Sequence, residues 1–219
     1  MVKIYVVRHC EAMGNFKKSF QGRTDSDISE NGARQLELLK ERFHDIDIDK
    51  VYSSPLIRAR KTALAATEGK GKKLIVDEHF IELDLGELEG MAIDDIINDY
   101  PWFSDAWYIH PESFATERGE AMSRLYDRMW DGIQAIASDP ENDGKTILIA
   151  SHGAAIRTLI CRVMFGDIKK LSYTPWSVNT AVSLLTFDEN GVALQYANDA
   201  SHLPDDLIKY GILLKVRKE

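Results

Sequence analysis

Two short apolar runs constrain this chain most. Ile4-Tyr5-Val6-Val7 and Ile147-Leu148-Ile149-Ala150 lie near opposite ends, and neither alternates with polar residues. Runs of this length, rich in β-branched residues, are strands covered on both faces, and such strands belong to parallel sheets with helices on either side. The intervening chain follows that plan. Helical spacing is expected over 33–43, with Leu36, Leu39 and Phe43 on one side. A strand at 51–53 leads into a helix whose N-cap and first position are expected at Ser54 and Pro55, with Gly69 as its stop. A third strand spans 74–76, short helices 93–100 and 102–108, and a long amphipathic helix 117–138. A strand at 146–150 feeds a helix at 153–165, and strands at 182–187 and 192–197 close a hairpin around Glu189-Asn190-Gly191. This alternation predicts an α/β fold with a mostly parallel sheet. At ~150 residues per domain, residues 1–219 read as one domain. Residues 87–116 interrupt the alternation and read as a small inserted helical lid.

Charge and cysteine content remove several functional classes. With 27 Lys+Arg against 35 Asp+Glu the net charge is −8, which argues against binding nucleic acid or a membrane surface. A local pocket for an anion remains open, because a few clustered arginines suffice for one. Two cysteines, Cys10 and Cys161, cannot build a disulfide framework or a four-cysteine zinc site. The apolar run after Lys3 is too short for a secretory leader, and no apolar stretch approaches ~18 residues. A cytoplasmic protein is expected.

Chemistry concentrates at the strand ends. Val6-Val7-Arg8-His9 and Ile149-Ala150-Ser151-His152 each place a histidine just beyond a buried strand. Ligands of open α/β sheets bind outside the carboxyl ends of the strands, so His9 and His152 are expected to meet there. The helix after the second strand carries Arg58 in its first turn, and helix N-termini favour phosphate. Arg8 and Arg58 add bidentate donors for phosphate oxygens. Taken singly, each histidine also reads as structural, Arg58, Arg60 and Lys61 as a solvated helix face, and Glu82 as part of an acidic loop. Their joint occurrence at four separate places favours a site.

Arg8-His9-Cys10-Glu11 resembles the Arg-His-Gly signature of the phosphoglycerate mutase-like histidine phosphatase family. The match continues through Asn15, Gln21-Gly22, Leu56-Ile57-Arg58-Ala59 with Thr62-Ala63, Glu82 with Gly86 and Glu89-Gly90, and Ser151-His152-Gly153. The resemblance implies a three-layer α/β/α sandwich and a metal-independent phosphomonoesterase acting on a small phosphate ester through a phosphohistidine. His9 would be the nucleophile, Glu82 the proton donor, and Arg8, Arg58 and His152 the phosphate pocket. Asn15, Gln21, Gly22 and Gly153 would be further phosphate or substrate contacts. A neutral imidazole nitrogen can attack phosphorus, and the flanking arginines both keep His9 neutral and stabilise the transferred charge. No metal or other cofactor is implied. Cys10 replaces the family's glycine and reads as a small buried filler, while Ala12 replaces a hydroxyl residue.

The same pattern supports a phosphoglycerate mutase, which would need 2,3-bisphosphoglycerate, and more remotely a non-catalytic phospho-ligand module. No Lys or Arg occurs from Leu74 to Glu117, against twelve carboxylates. Such a lid repels a second phosphate or a substrate carboxylate and so favours hydrolysis. Lys17, Lys18 and Arg23 offset it in part. Trp102, Phe103, Trp107 and Tyr108 are expected to pack the lid rather than touch substrate. The oligomeric state is left open.

Overall fold

A computed structural model describes residues 1–17 and 19–208, so Lys18 lies outside the described residues. Six strands form one sheet: β1 (Val2–Arg8), β2 (Lys50–Ser53), β3 (Leu74–Val76), β4 (Thr146–Ser151), β5 (Val182–Asp188) and β6 (Gly191–Asp199). Their spatial order is β3-β2-β4-β1-β5-β6, with the first four parallel, β5 antiparallel to β1, and β6 antiparallel to β5. The helices are α1 (Met13–Phe16), α2 (Glu30–Phe43), α3 (Ile57–Ala66), α4 (Ile93–Asp99), α5 (Met122–Ala137) and α6 (Gly153–Phe165).

The two-residue period of the central strands builds the layers. Ile4, Val6, Ile147 and Ile149 enter one core with Leu125, Met129 and Ile133 of α5 and Ala155 and Leu159 of α6. Val7, Leu148 and Ala150 enter the other, with Leu39 and Phe43 of α2 and Ala59 and Ala63 of α3. The result is a mixed α/β fold with helices on both faces of a mostly parallel sheet. Register then sets the site. Arg8 pairs with Ser151, and the His9 amide donates to the Ser151 carbonyl at 2.9 Å, so His9 and His152 leave adjacent strands at one level.

Three expected elements differ from those observed. α3 begins at Ile57, not at Pro55, because the Ile57 amide donates to the Asp25 carboxylate at 2.7 Å and Ser54 accepts only a long bond from Leu56. α5 begins at Met122, not at 117. Gly119 lies so close to the 84–86 loop that a Cβ there would fall 2.3 Å from the Asp84 carbonyl, and Glu120 donates to that same carbonyl. Residues 102–108 do not form a regular α-helix; a wide π-type turn runs over Asp105–Ile109. As expected from their spacing, Phe103 and Trp107 are buried, packing on Phe20, Phe114 and Trp176. Among the described residues, no helix is long and apolar enough to cross a membrane.

Candidate active site

His9 sits at the carboxyl end of β1 and is buried. Its Nδ1 lies 2.7 Å from the Cys10 carbonyl. A carbonyl only accepts, so Nδ1 carries the proton and Nε2 keeps its lone pair. The main chain of His9 is also fixed: its carbonyl accepts from Asn179 Nδ2 at 2.9 Å. The His152 ring stands 5.0 Å from the His9 ring, and its Nε2 is 2.7 Å from the Ser54 hydroxyl.

Two guanidinium groups face these rings. Arg58 is buried and donates to the Gly22 carbonyl at 2.6 Å and the Thr24 carbonyl at 2.8 Å. Arg8 donates to the Ser177 carbonyl. Neither bonds a carboxylate among the described residues, and Arg8 Nε, Arg58 Nε and His152 Nδ1 are buried with no protein partner. Burial, reinforced by Arg58 and opposed by Glu82, pushes the Arg8 pKa down to about 10, so the group stays charged at neutral pH. Burial first, then Arg58 and Arg8, hold His9 well below the ordinary histidine value. His152 is lowered for the same reasons, with His9 contributing. Two cations and two neutral imidazoles share one buried place, which suits a compact anion of high charge.

Glu82 joins them, its charge acting on both Arg8 and Arg58. Its carboxylate accepts from the amides of Leu83, Ala154 and Ala155 at 2.8, 3.1 and 3.2 Å. It thereby caps the N-terminus of α6. Asp25 takes the Ile57 amide at the start of α3, the helix end expected to favour phosphate. A half-buried network holds the Glu82 main chain. Arg128 Nη2 and Arg23 Nε donate to its carbonyl at 3.1 and 3.3 Å. Buried Glu120 joins both arginines, taking Arg128 Nε at 2.7 Å and Nη2 at 2.8 Å, and Arg23 Nη2 at 3.3 Å. Arg23 therefore offsets the acidic stretch at one carboxylate, Asp84, and is otherwise held by Glu120.

The other expected contact residues shape the loop around Arg58. Asn15 Oδ1 accepts from the Ala12 amide at 3.1 Å, closing the single turn of α1. Gln21 Nε2 donates to the Thr24 carbonyl at 3.0 Å, while its Oε1 is buried without a protein partner. Gly22 packs so tightly that a Cβ would lie 2.3 Å from the Leu83 carbonyl, and its amide donates to Glu89. Gly153 starts α6 beside the Arg8 guanidinium. Cys10 is buried, its thiol pushed up to about 12 by burial, which leaves it an inert space-filler. Asn179, Glu120 and Arg128 are absent from the sequence reading, and Ser54 enters it only as an expected helix cap, not as the partner of His152. A polar residue straight after β2 was the only signal for Ser54, and the others sit in irregular loops or on a helix flank.

The lowered histidines give a pH prediction. Above pH 6.5 both are neutral folded and unfolded; below it the unfolded chain takes up protons that the folded site refuses. Catalysis needing neutral His9 should thus survive acidification while stability declines from pH 6.5 downward. We expect kcat/KM, corrected for substrate ionisation, not to fall between pH 7 and 5.5 as the denaturant midpoint falls. A tenfold loss per pH unit beginning at 6.5 would show that His9 titrates normally.

A family model described as histidine phosphatase superfamily (branch 1) matches residues 4–200. Phosphoserine phosphatase 1 of Hydrogenobacter thermophilus is 30% identical over 206 residues, covering 93% of this chain and 95% of the relative. A probable phosphoglycerate mutase, GpmB, of Erwinia tasmaniensis is 30% identical over 210 residues, covering 94% and 96%. Among solved structures, Bacillus stearothermophilus YhfR superposes with a TM-score of 0.87 at 27% identity, covering 92% of this chain and 99% of that one.

Proposed function

The chain belongs to the histidine phosphatase superfamily, and on that premise we propose that it hydrolyses small phosphate monoesters through a phosphohistidine on His9 without a metal. It is a phosphomonoesterase of the phosphoglycerate mutase-like kind. The observation that carries the finer reading is the His9 Nδ1–H bond to the Cys10 carbonyl, which leaves a neutral Nε2 nucleophile among buried guanidiniums.

The ester phosphate takes hydrogen bonds from Arg8, Arg58 and His152. The Ser54 hydroxyl, 2.7 Å from His152 Nε2, holds that nitrogen and leaves the unpartnered Nδ1 for the phosphate. His9 Nε2 attacks phosphorus, the bond to the ester oxygen breaks, and protonated Glu82 supplies the proton that the leaving alkoxide needs. Water then attacks the phosphohistidine, Glu82 takes its proton, and phosphate departs from neutral His9. The guanidiniums neutralise the transferred charge, a role that a divalent cation fills elsewhere. Residues 87–116 act as the cover of this site. Their acidity, with Arg23 held by Glu120 and Asp84, supports water over a second phosphorylated substrate as acceptor. We place the activity in the cytoplasm.

One experiment separates the readings. Phosphoserine, a sugar phosphate, p-nitrophenyl phosphate, and 3-phosphoglycerate with and without 2,3-bisphosphoglycerate are assayed with wild type and Glu82→Gln in EDTA. Phosphate release from wild type in EDTA should exceed any interconversion of 2- and 3-phosphoglycerate. Glu82→Gln should slow alkyl esters far more than the aryl ester, whose leaving group departs without a proton. Faster interconversion would establish the mutase, loss of activity in EDTA would overturn the metal-free reading, and equal slowing of both ester types would remove Glu82 as proton donor.

A further inference from the structure

Among the described residues, two that are not glycine have positive φ: Thr180 at 57° and Asn198 at 56°. Asparagine tolerates that region, but threonine, branched at Cβ, is strained there. Such strain persists only where the surroundings over-determine it, and it gathers at functional sites. Both residues adjoin this one. The Thr180 amide donates to the Arg8 carbonyl at 3.0 Å and to the His9 carbonyl at 3.4 Å, beside the bond from Asn179 Nδ2 to that same His9 carbonyl. Asn198 lies where β6 slips register against β5, a bulge of the kind that re-aims a side chain. Its carboxamide oxygen accepts from the Ser177 hydroxyl, and the Ser177 carbonyl accepts from the Arg8 guanidinium. One short loop, 177–180, therefore holds the main chain of His9 and the head group of Arg8.

What grips this loop lies outside the site. Arg42, in the last turn of α2, pairs with Asp199 at 2.6 Å and donates to His202 Nδ1 at 3.3 Å. A guanidinium only donates, so Nδ1 keeps its lone pair and the ring proton sits on Nε2. Nε2 stands 3.2 Å from Thr180 Oγ1, which donates to the Asn179 carbonyl at 2.8 Å. The order of donors is thereby fixed from Arg42 through His202 and Thr180 to Asn179. Burial, reinforced by Arg42 and opposed by Asp199, lowers the His202 pKa to about 4, so the ring stays in this neutral form at neutral pH. A glycine at 180 would relieve the backbone, but it has no hydroxyl to carry the chain of hydrogen bonds. The strain at Thr180 is the cost of that hydroxyl.

We propose that His202 is a positioning residue: through Thr180 and Asn179 it fixes the main chain of His9, and with it the line along which Nε2 meets phosphorus. The inference rests on the phosphohistidine reading, since it concerns the aim of that nucleophile. A displacement of ~1 Å at a reacting atom can slow a reaction ~10²-fold. Phosphate affinity depends on other groups: Arg58 is held by Gly22 and Thr24, and His152 by Ser54. Loss of the relay should therefore slow phosphoryl transfer to His9 and leave phosphate binding largely intact.

Two pairs of variants test this. His202→Leu and the isosteric Thr180→Val break the relay. His202→Gln, with a donor and an acceptor, and Thr180→Ser, with its hydroxyl, preserve it. The rate of phosphoenzyme formation from p-nitrophenyl phosphate is measured by rapid quench and intact mass, per folded molecule, alongside the Kd for inorganic phosphate. The Leu and Val variants should form phosphoenzyme ~10-fold or more slowly while their phosphate Kd moves by less than ~3-fold; the Gln and Ser variants should stay within ~3-fold of wild type in both. If His202→Leu does not fold, the Thr180 pair decides. Wild-type rates in the Leu and Val variants, equal slowing in all four, or a loss of phosphate affinity as large as the loss of rate would overturn the proposal and leave the phosphohistidine reading standing. A wild type that forms no phosphoenzyme would overturn that reading, and this proposal with it.

Discussion

His9→Ala should remove phosphate-ester turnover by roughly 10³-fold or more while leaving a folded protein, as loss of a nucleophile does elsewhere. Among the described groups, His9 Nε2 is the neutral nucleophile that stands among the buried guanidiniums with its lone pair fixed. The His152 ring cannot replace it, because its Nε2 is held by Ser54. Folding should survive, since the polar partners of the His9 ring reduce to one carbonyl, that of Cys10. The same lowered pKa sets the sign of a second readout. Wild type is penalised below pH 6.5 by a histidine that the folded site refuses to protonate, so His9→Ala should tolerate acid better than wild type. Alkaline-quenched intact mass should show an added phosphoryl group on wild type and none on the variant. A folded variant with near-wild-type turnover would sink the phosphohistidine mechanism.

Much of this site was legible because strand register carries it. Two buried runs ending in histidine sufficed to place His9 and His152 together, since the period of a parallel strand leaves little freedom in where its last residue points. Arg58 was legible for a similar reason, being one turn into a helix that follows a strand end. What was not legible depends on contacts between segments far apart in sequence. The start of α3 reads as an anion site, yet Asp25 takes its first amide from 32 residues away, and Glu82 reaches the start of α6 from farther still. Arg23 looked like a free cation beside an acidic lid, and only the fold reveals Glu120 and Asp84 as its partners. The charge of the lid was likewise read too simply. Glu87 holds the amides of Glu117 and Arg118, and Glu89 those of Gly22, Arg23 and Thr24, so these carboxylates tie loops together as well as repelling anions.

Arg58→Lys should be nearly as damaging as removal of the side chain, although it conserves charge. The Arg58 guanidinium donates to the Gly22 and Thr24 carbonyls with two of its nitrogens and still offers Nε and remaining N–H groups toward His9. A lysine ammonium is a single point with three donors, so it cannot hold both carbonyls and a phosphate oxygen in one plane. Loss of one preorganised donor to transition-state charge slows turnover by ~10²–10³-fold, and we expect kcat to fall by that amount. Each carbonyl left unpaired adds ~1–3 kcal/mol of instability, felt first in the 21–26 loop that carries Gln21 and Gly22. The two effects separate experimentally. If Arg58 acts on the phosphate, the variant should also lose the stabilisation that inorganic phosphate gives wild type in thermal melts. A Lys variant that is less stable, yet keeps kcat within tenfold and its stabilisation by phosphate, would reduce Arg58 to an anchor for the loop and leave Arg8 and His152 to hold the anion.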